Sequence, residues 1–232
     1  MRLKLKNFLY DKEKKRTRKY RKKIKRELKF RRNRNKKLIQ KYPWLRVADW
    51  TYFYPNEIPF LSDPFYINLW DEIPQGWINT FGRMMCDEIE AELEKHHLEK
   101  ETYIEQTKEK YGQLRIYMAA PHEVLEIIDI YSAISEHVCC QCGRPHSPMM
   151  NFSWVSPYCS KCFYKRQKKD EYFYRGVYED YAPKDKEHWK IPDELKWTRF
   201  SKDKNETYTR DISERVRNIE RLWNKRHPDD KV

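Results

Sequence analysis

The apolar residues Trp77, Phe81, Met85, Ile89 and Leu93 recur every fourth position. Asp87, Glu88, Glu90, Glu92 and Glu94 fall between them, which predicts an amphipathic helix whose outer face is acidic and reads as solvated. Farther on the period changes to two. Leu114, Ile116 and Met118 alternate with Gln113, Arg115 and Tyr117, predicting strands over about 102–108 and 113–118 joined by a turn at Tyr111-Gly112. Helical spacing returns at Val124, Leu125, Ile128, Tyr131 and Ile134, giving a helix over about 121–137 opened by Pro121. A last helix is expected over about 210–226, with Ile212, Val216, Ile219 and Trp223 on one face and Asp211 with Glu214 as a capping pair. Residues 164–206 are charged and dotted with aromatics, with weak periodicity.

Upstream the pattern thins. Residues 11–41 read as a helix: mostly good helix formers, no Gly or Pro, and an end before Pro43. Its only apolar stripe is Tyr20, Ile24 and Leu28, a seam fit to dock on the body or a partner; Asn33 and Asn35 weaken the run and mark a possible break. Residues 42–75 hold five prolines among ten aromatics, which excludes a long helix and predicts an irregular segment wrapped on the body.

Charge divides the chain in the same place. Met1 to Lys41 carries 21 Lys and Arg against three acids, a net of +18. Of the 49 Lys and Arg and 36 Asp and Glu in all 232 residues, the other 191 residues therefore hold 28 against 33, a net of −5. A mildly acidic body with a cationic arm points to a polyanionic partner, nucleic acid above all. At 15% aromatic residues the chain is too aromatic for a disordered one. No apolar run of membrane-spanning length and no secretory h-region is present, so the expected location is cytoplasmic. Only five glycines occur, and none forms a phosphate cradle.

The six cysteines then favour metal over disulfides. Cys139-x-x-Cys142 and Cys159-x-x-Cys162, sixteen residues apart, are two short turns that each present two thiolates, the ligand set of a tetrahedral zinc site. Gly143 suits the turn of backbone amides toward sulfur, and Pro145 and Pro157 suggest stiff turns flanking a short hairpin. Cys140 reads as a bystander, Cys86 as a core residue, and His146 as superfluous beside four thiolates. Four cysteine ligands leave no open position, so the Zn2+ is expected to be structural.

Three stretches carry a resemblance: Ile73-Pro74-Gln75-Gly76-Trp77; Lys108-Glu109-Lys110-Tyr111-Gly112-Gln113-Leu114-Arg115-Ile116-Tyr117; and Cys139 with Cys142-Gly143-Arg144-Pro145 and Pro157-Tyr158-Cys159-Ser160-Lys161-Cys162. Between about 70 and 165 the chain thus resembles a group of uncharacterised proteins encoded by bacteriophages and prophages. The resemblance implies a phage context, a bacterial host cell and a zinc-bearing α+β body; it implies no activity and does not reach the arm or the last helix.

The expected fold is α+β: a small, mostly helical body with a short β-hairpin, a four-cysteine zinc-ribbon or knuckle module and a basic N-terminal helical arm. Its expected divisions are the arm (1–41), the body (42–137), the zinc module (138–165) and a charged tail with the last helix (166–232). No enzyme is expected. His96-His97 lacks the spacing of a helical metalloprotease motif, and Glu105-x-x-Lys108 would place its side chains on opposite faces of a strand. The first functional reading is a DNA- or RNA-binding protein. Its arm offers Arg16, Arg18, Lys19, Arg21, Lys22, Lys23, Lys25, Arg26, Arg31, Arg32 and Arg34 to phosphates. Neutralising about eight phosphates gives a log–log salt slope near −7. Arg144, His146, Lys161, Lys165 and Arg166 near Trp154 and Tyr158 are candidates at unpaired bases, although Trp154 fits a cover for the metal core better. A second reading is a phage factor that binds a host protein–nucleic-acid complex such as a defence nuclease. A third is self-association, the arm of one copy on the acidic helix of another.

Overall fold

A computed structural model describes residues 18–46, 69–151, 155–167, 196–201, 206–211 and 213–232. Along the chain run α1 (Arg18–Lys41), α2 (Leu69–Glu72), α3 (Gln75–Trp77), a wide π turn (Ile78–Gly82) and α4 (Arg83–Lys95). Next come β1 (Ile104–Lys110), β2 (Gln113–Met118), α5 (His122–Ser135), β3 (Met149–Asn151) and β4 (Val155–Pro157). The last elements are α6 (Ser160–Gln167), β5 (Lys196–Ser201), β6 (Glu206–Asp211) and α7 (Ser213–Arg226). The strands form three separate antiparallel hairpins, β1–β2, β3–β4 and β5–β6. Among the described residues no helix is long and apolar enough to cross a membrane.

The core lies between the helical run from Gln75 to Lys95, α5 and the inner face of β2. Trp77, Phe81, Met85, Ile89 and Leu93 are all fully buried. A spacing of four drifts about 40° per step around an ideal α-helix. The π turn unwinds part of that drift, which keeps five residues on one buried face. Phe81 stacks on Tyr131 of α5 at 5.5 Å. Inward Leu114, Ile116 and Met118 follow the expected alternation, and the turn at Tyr111-Gly112 stands where the pattern put it. The outer edge of β2 is tied to α5: Leu114 donates its N–H to Ser135 Oγ (2.8 Å) and accepts from Ser132 Oγ (2.7 Å).

Four features differ from expectation. α1 is unbroken through Asn33 and Asn35, and Asn35 is buried because its Nδ2 donates to Asp71 Oδ2 of α2 (2.8 Å). The acidic face of α4 is partly an internal seat. Asp87 takes hydrogen bonds from Lys41 Nζ and Tyr42 Oη, both 2.6 Å, while Glu88 takes them from Tyr131 (2.5 Å) and Arg215 of α7 (2.6 Å). The 164–206 region contains β5 and the start of β6. Asp211 ends β6, so it is a strand residue rather than a helix cap. Residues 11–17, with Arg16, lie outside the described part, as does Trp154.

Candidate metal centre and cationic helix

The first CxxC turn follows α5 directly. Val138 pairs with Pro145 as an isolated bridge, Cys139 N–H donates to Arg144 O (2.9 Å) and Gly143 N–H to Cys139 O (2.8 Å). Gly143 holds φ at +87°, the left-handed conformation that glycine adopts at no steric cost. The second pair leaves β4 and enters α6, where Phe163 N–H bonds Cys159 O (2.9 Å). Cys140 N–H donates to Pro157 O (2.9 Å) and closes the two halves on each other. The β3–β4 hairpin between them is the short hairpin the prolines suggested.

Cys139, Cys142, Cys159 and Cys162 bring their four sulfurs within 4.8 Å of one another. Cys142 and Cys159 Sγ stand 3.7 Å apart. A regular tetrahedron with metal–sulfur bonds of about 2.3 Å has an edge of about 3.8 Å, so this spacing fits a single ion. Protons tell the same story. Hydrogen bonds from the Cys142 and Cys159 thiols pull the Cys139 thiol far down, to about 2. In turn the hydrogen bond to Cys139 pushes Cys142 and Cys159 up, and burial pushes Cys162 up to about 12. A divalent ion in their midst would stabilise four thiolates. Backbone amides already favour the anions, Cys142's toward Cys139, Arg144's toward Cys142 and Cys162's toward Cys159. Cys140 stands apart, its buried thiol pushed up to about 12 against Tyr158, and Cys86 is buried in the core.

Close packing fixes the centre to the rest of the fold. Gly76 N–H donates to Cys140 O (3.0 Å), and a Cβ on Gly76 would collide with Cys139 O. In the π turn, Thr80 Oγ1 shares its proton between Gly76 O (2.8 Å) and Gly143 O (2.7 Å). Trp77 Nε1 donates to Val138 O (2.8 Å). On the other side Gly112, at the β1–β2 turn, leaves no room for a Cβ beside Met149 Sδ. The three stretches that carry the resemblance, around Gly76-Trp77, Tyr111-Gly112 and the cysteines, thus meet in space.

Three of the module's residues expected at unpaired bases, Arg144, His146 and Arg166, have internal partners. Arg144 Nε bonds Asp230 Oδ1 (3.2 Å), and His146 Nε2 lies 2.8 Å from Glu220 Oε1 of α7. Tyr158 is buried beneath Arg166, whose guanidinium lies 5.3 Å from the ring and hydrogen-bonds its hydroxyl. Lys161 and Lys165 remain exposed.

α1 has two different sides. Asn35, Leu38, Ile39 and the following Tyr42 face the body, and Asp71 accepts from Arg34 Nη2 (2.6 Å) with Arg31 Nη1 at 3.8 Å. Lys41 and Tyr42 close the C-terminal end on Asp87. Burial, with the hydrogen bond to Asp87, pushes the Tyr42 hydroxyl up to about 12. The hydrogen bond to Asp87 also raises Lys41. Lys23, Lys25, Arg26, Lys29, Arg32, Lys36 and Lys37 are exposed, with Phe30, 65% exposed, among them. Lys29, Lys36 and Lys37 belong to this face although they are not among the arm residues expected at phosphates; helical phase relative to Asn35 is the signal that finds them. Arg18, Lys19, Arg21 and Lys22 continue the helix. No protein-family model, curated protein or solved structure matches the chain.

Proposed function

We propose that this chain is a zinc-containing nucleic-acid-binding protein that grips the phosphate backbone with the outer face of α1. The observation carrying the reading is the asymmetry of that helix. Its acid-facing side docks on Asp71 and Asp87, and its far side keeps Lys23, Lys25, Arg26, Lys29, Lys36 and Lys37 in solvent. Docking orients the cations without neutralising them, and exposed Lys and Arg supply affinity that does not depend on base sequence. Cys139, Cys142, Cys159 and Cys162 hold a structural Zn2+, all four positions being thiolates, and the chain is not an enzyme. The stretches resembling phage proteins favour an infected or lysogenic bacterial cell as the setting of this activity.

Phe30 favours a second reading. Its exposed ring in the cationic face is an anchor that phosphate contacts do not need, as expected of a phage factor seated on a host protein–nucleic-acid complex. Affinity purification from a bacterial lysate, with and without nuclease, separates the two. The full chain should carry nucleic acid that is lost when the six cations are changed to Gln. A discrete protein complex that survives nuclease and lacks nucleic acid would overturn the first reading in favour of the second.

A further inference from the structure

The β1–β2 hairpin has a second face that the metal centre and α1 leave unused. Of the five large apolar side chains most exposed among the described residues, three belong to it: Tyr103 (46%), Tyr111 (63%) and Tyr117 (43%). Leu114, Ile116 and Met118 point inward, so Gln113, Arg115 and Tyr117 point out. Register sets Lys110 opposite Gln113, Lys108 opposite Arg115 and Gln106 opposite Tyr117 on that outer side. Tyr103 precedes inward Ile104 at the open end, and Tyr111 stands at the turn. Lys108 Nζ lies 4.9 Å from the Tyr117 ring centre and Lys110 Nζ 5.5 Å from that of Tyr111. Two rings at the open end, Tyr103 and Tyr117, and one at the turn, Tyr111, therefore flank the cations Lys108, Arg115 and Lys110 along a face about 25 Å long, at about 3.3 Å per residue.

We infer that this face is a stacking platform for unpaired bases, making single-stranded nucleic acid the ligand that the chain holds best. The inference rests on the nucleic-acid reading of α1 and deepens it. Exposed rings interleaved with Lys and Arg are the combination that binds single strands, since every base has a π-face and every nucleotide a phosphate. A buried protein interface would instead favour depletion of lysine. Charge complementarity comes from Lys108, Lys110 and Arg115. The platform also continues from the cationic helix: Ile104 N–H, at the start of β1, donates to Arg46 O (2.8 Å), five residues after α1 ends.

Fluorescence anisotropy tests this with a labelled 12-nucleotide oligo(U), its oligo(dT) counterpart and a 12-base-pair duplex, using the full metal-loaded chain. Tyr103→Ala, Tyr111→Ala and Tyr117→Ala should each weaken single-strand binding by about tenfold. Duplex binding should stay within about twofold, and the Tyr→Phe variants should keep the wild-type affinity. Circular dichroism and bound metal report folding; if any of these variants is unstable, the stable Ala variants with their Phe counterparts decide. Single-strand binding unchanged by the Ala variants, or lost together with duplex binding, would overturn the platform. Wild-type binding to duplex alone would also overturn it while leaving the α1 reading intact. Binding to no probe would remove both.

Discussion

Two basic helices dock on one acidic helix. α1 reaches Asp87 of α4 through Lys41 and Tyr42; α7 reaches Glu88, the next residue, through Arg215. Beyond that they diverge. α7 buries Val216, Ile219 and Trp223, and one of its two acids, Glu220, serves the module at His146. It carries five Lys and Arg against two acids, whereas α1 carries 14 against one. α7 is a clasp whose position follows from apolar burial. α1 is held by polar contacts to Asp71 and Asp87 beside Leu38 and Ile39 on its body-facing side, and its Lys23, Lys25, Arg26, Lys29, Lys36 and Lys37 stand in solvent. Two basic helices on one acidic seat thus differ: α7 is covered along an apolar stripe, while α1 leaves a cationic face in solvent.

The largest test of that contrast is loss of the metal. Chelation, or Cys142→Ser, should remove on the order of 10 kcal/mol from the module's folding. α7 then loses its module partner His146, and the segment after it loses Arg144 at Asp230, while α1 keeps Asp71 and Asp87. Hydrogen exchange should show protection falling in 138–165 and 213–226 before 28–41. Simultaneous loss would break the distinction.

Asp71→Ala should cost about 2–3 kcal/mol in urea unfolding, because it strands buried Asn35 as well as Arg34. Arg215→Ala should cost less, about 1–2 kcal/mol, by leaving Glu88 with Tyr131 alone. It should also leave nucleic-acid affinity unchanged. The smallest effect concerns pH. Burial, reinforced by Glu94 and Glu99, raises the Glu90 carboxyl to about 7, and its Oε2 has no hydrogen-bond partner among the described residues. The folded state therefore holds a proton that the unfolded state, near 4.5, releases. Stability from this group is full below pH 4.5 and declines as pH rises to about 7. Glu90→Gln should flatten that part of the profile; an unchanged slope would assign it elsewhere.

Local signals explain what the sequence disclosed. The CxxC turns, the Tyr111-Gly112 turn and the helical stripes of α4 and α5 are each encoded within a few residues, and the structure has them in place. Long-range polar pairs have no such signature. Asn35 reads as a helix breaker until Asp71, 36 residues away, accepts its amide. Glu88 reads as solvated until Arg215 arrives from 127 residues downstream. Arg144 and His146 read as ligand contacts for the same reason. The β5–β6 hairpin was different: Trp197, Phe200, Thr207 and Tyr208 are good strand formers, but the charges between them masked the period.

If α1, and not basic charge in general, binds nucleic acid, the salt dependence of binding must follow the cations of that helix. Duplex binding followed against salt tests it directly. Changing Lys23, Lys25, Arg26, Lys29, Lys36 and Lys37 to Gln should flatten the log–log slope by about 5, at about 0.9 per phosphate contact. Changing Arg217 and Arg221 on the exposed side of α7 should leave it as it was. An unchanged slope in the α1 variant, or an equal loss per charge from α7, would contradict the account.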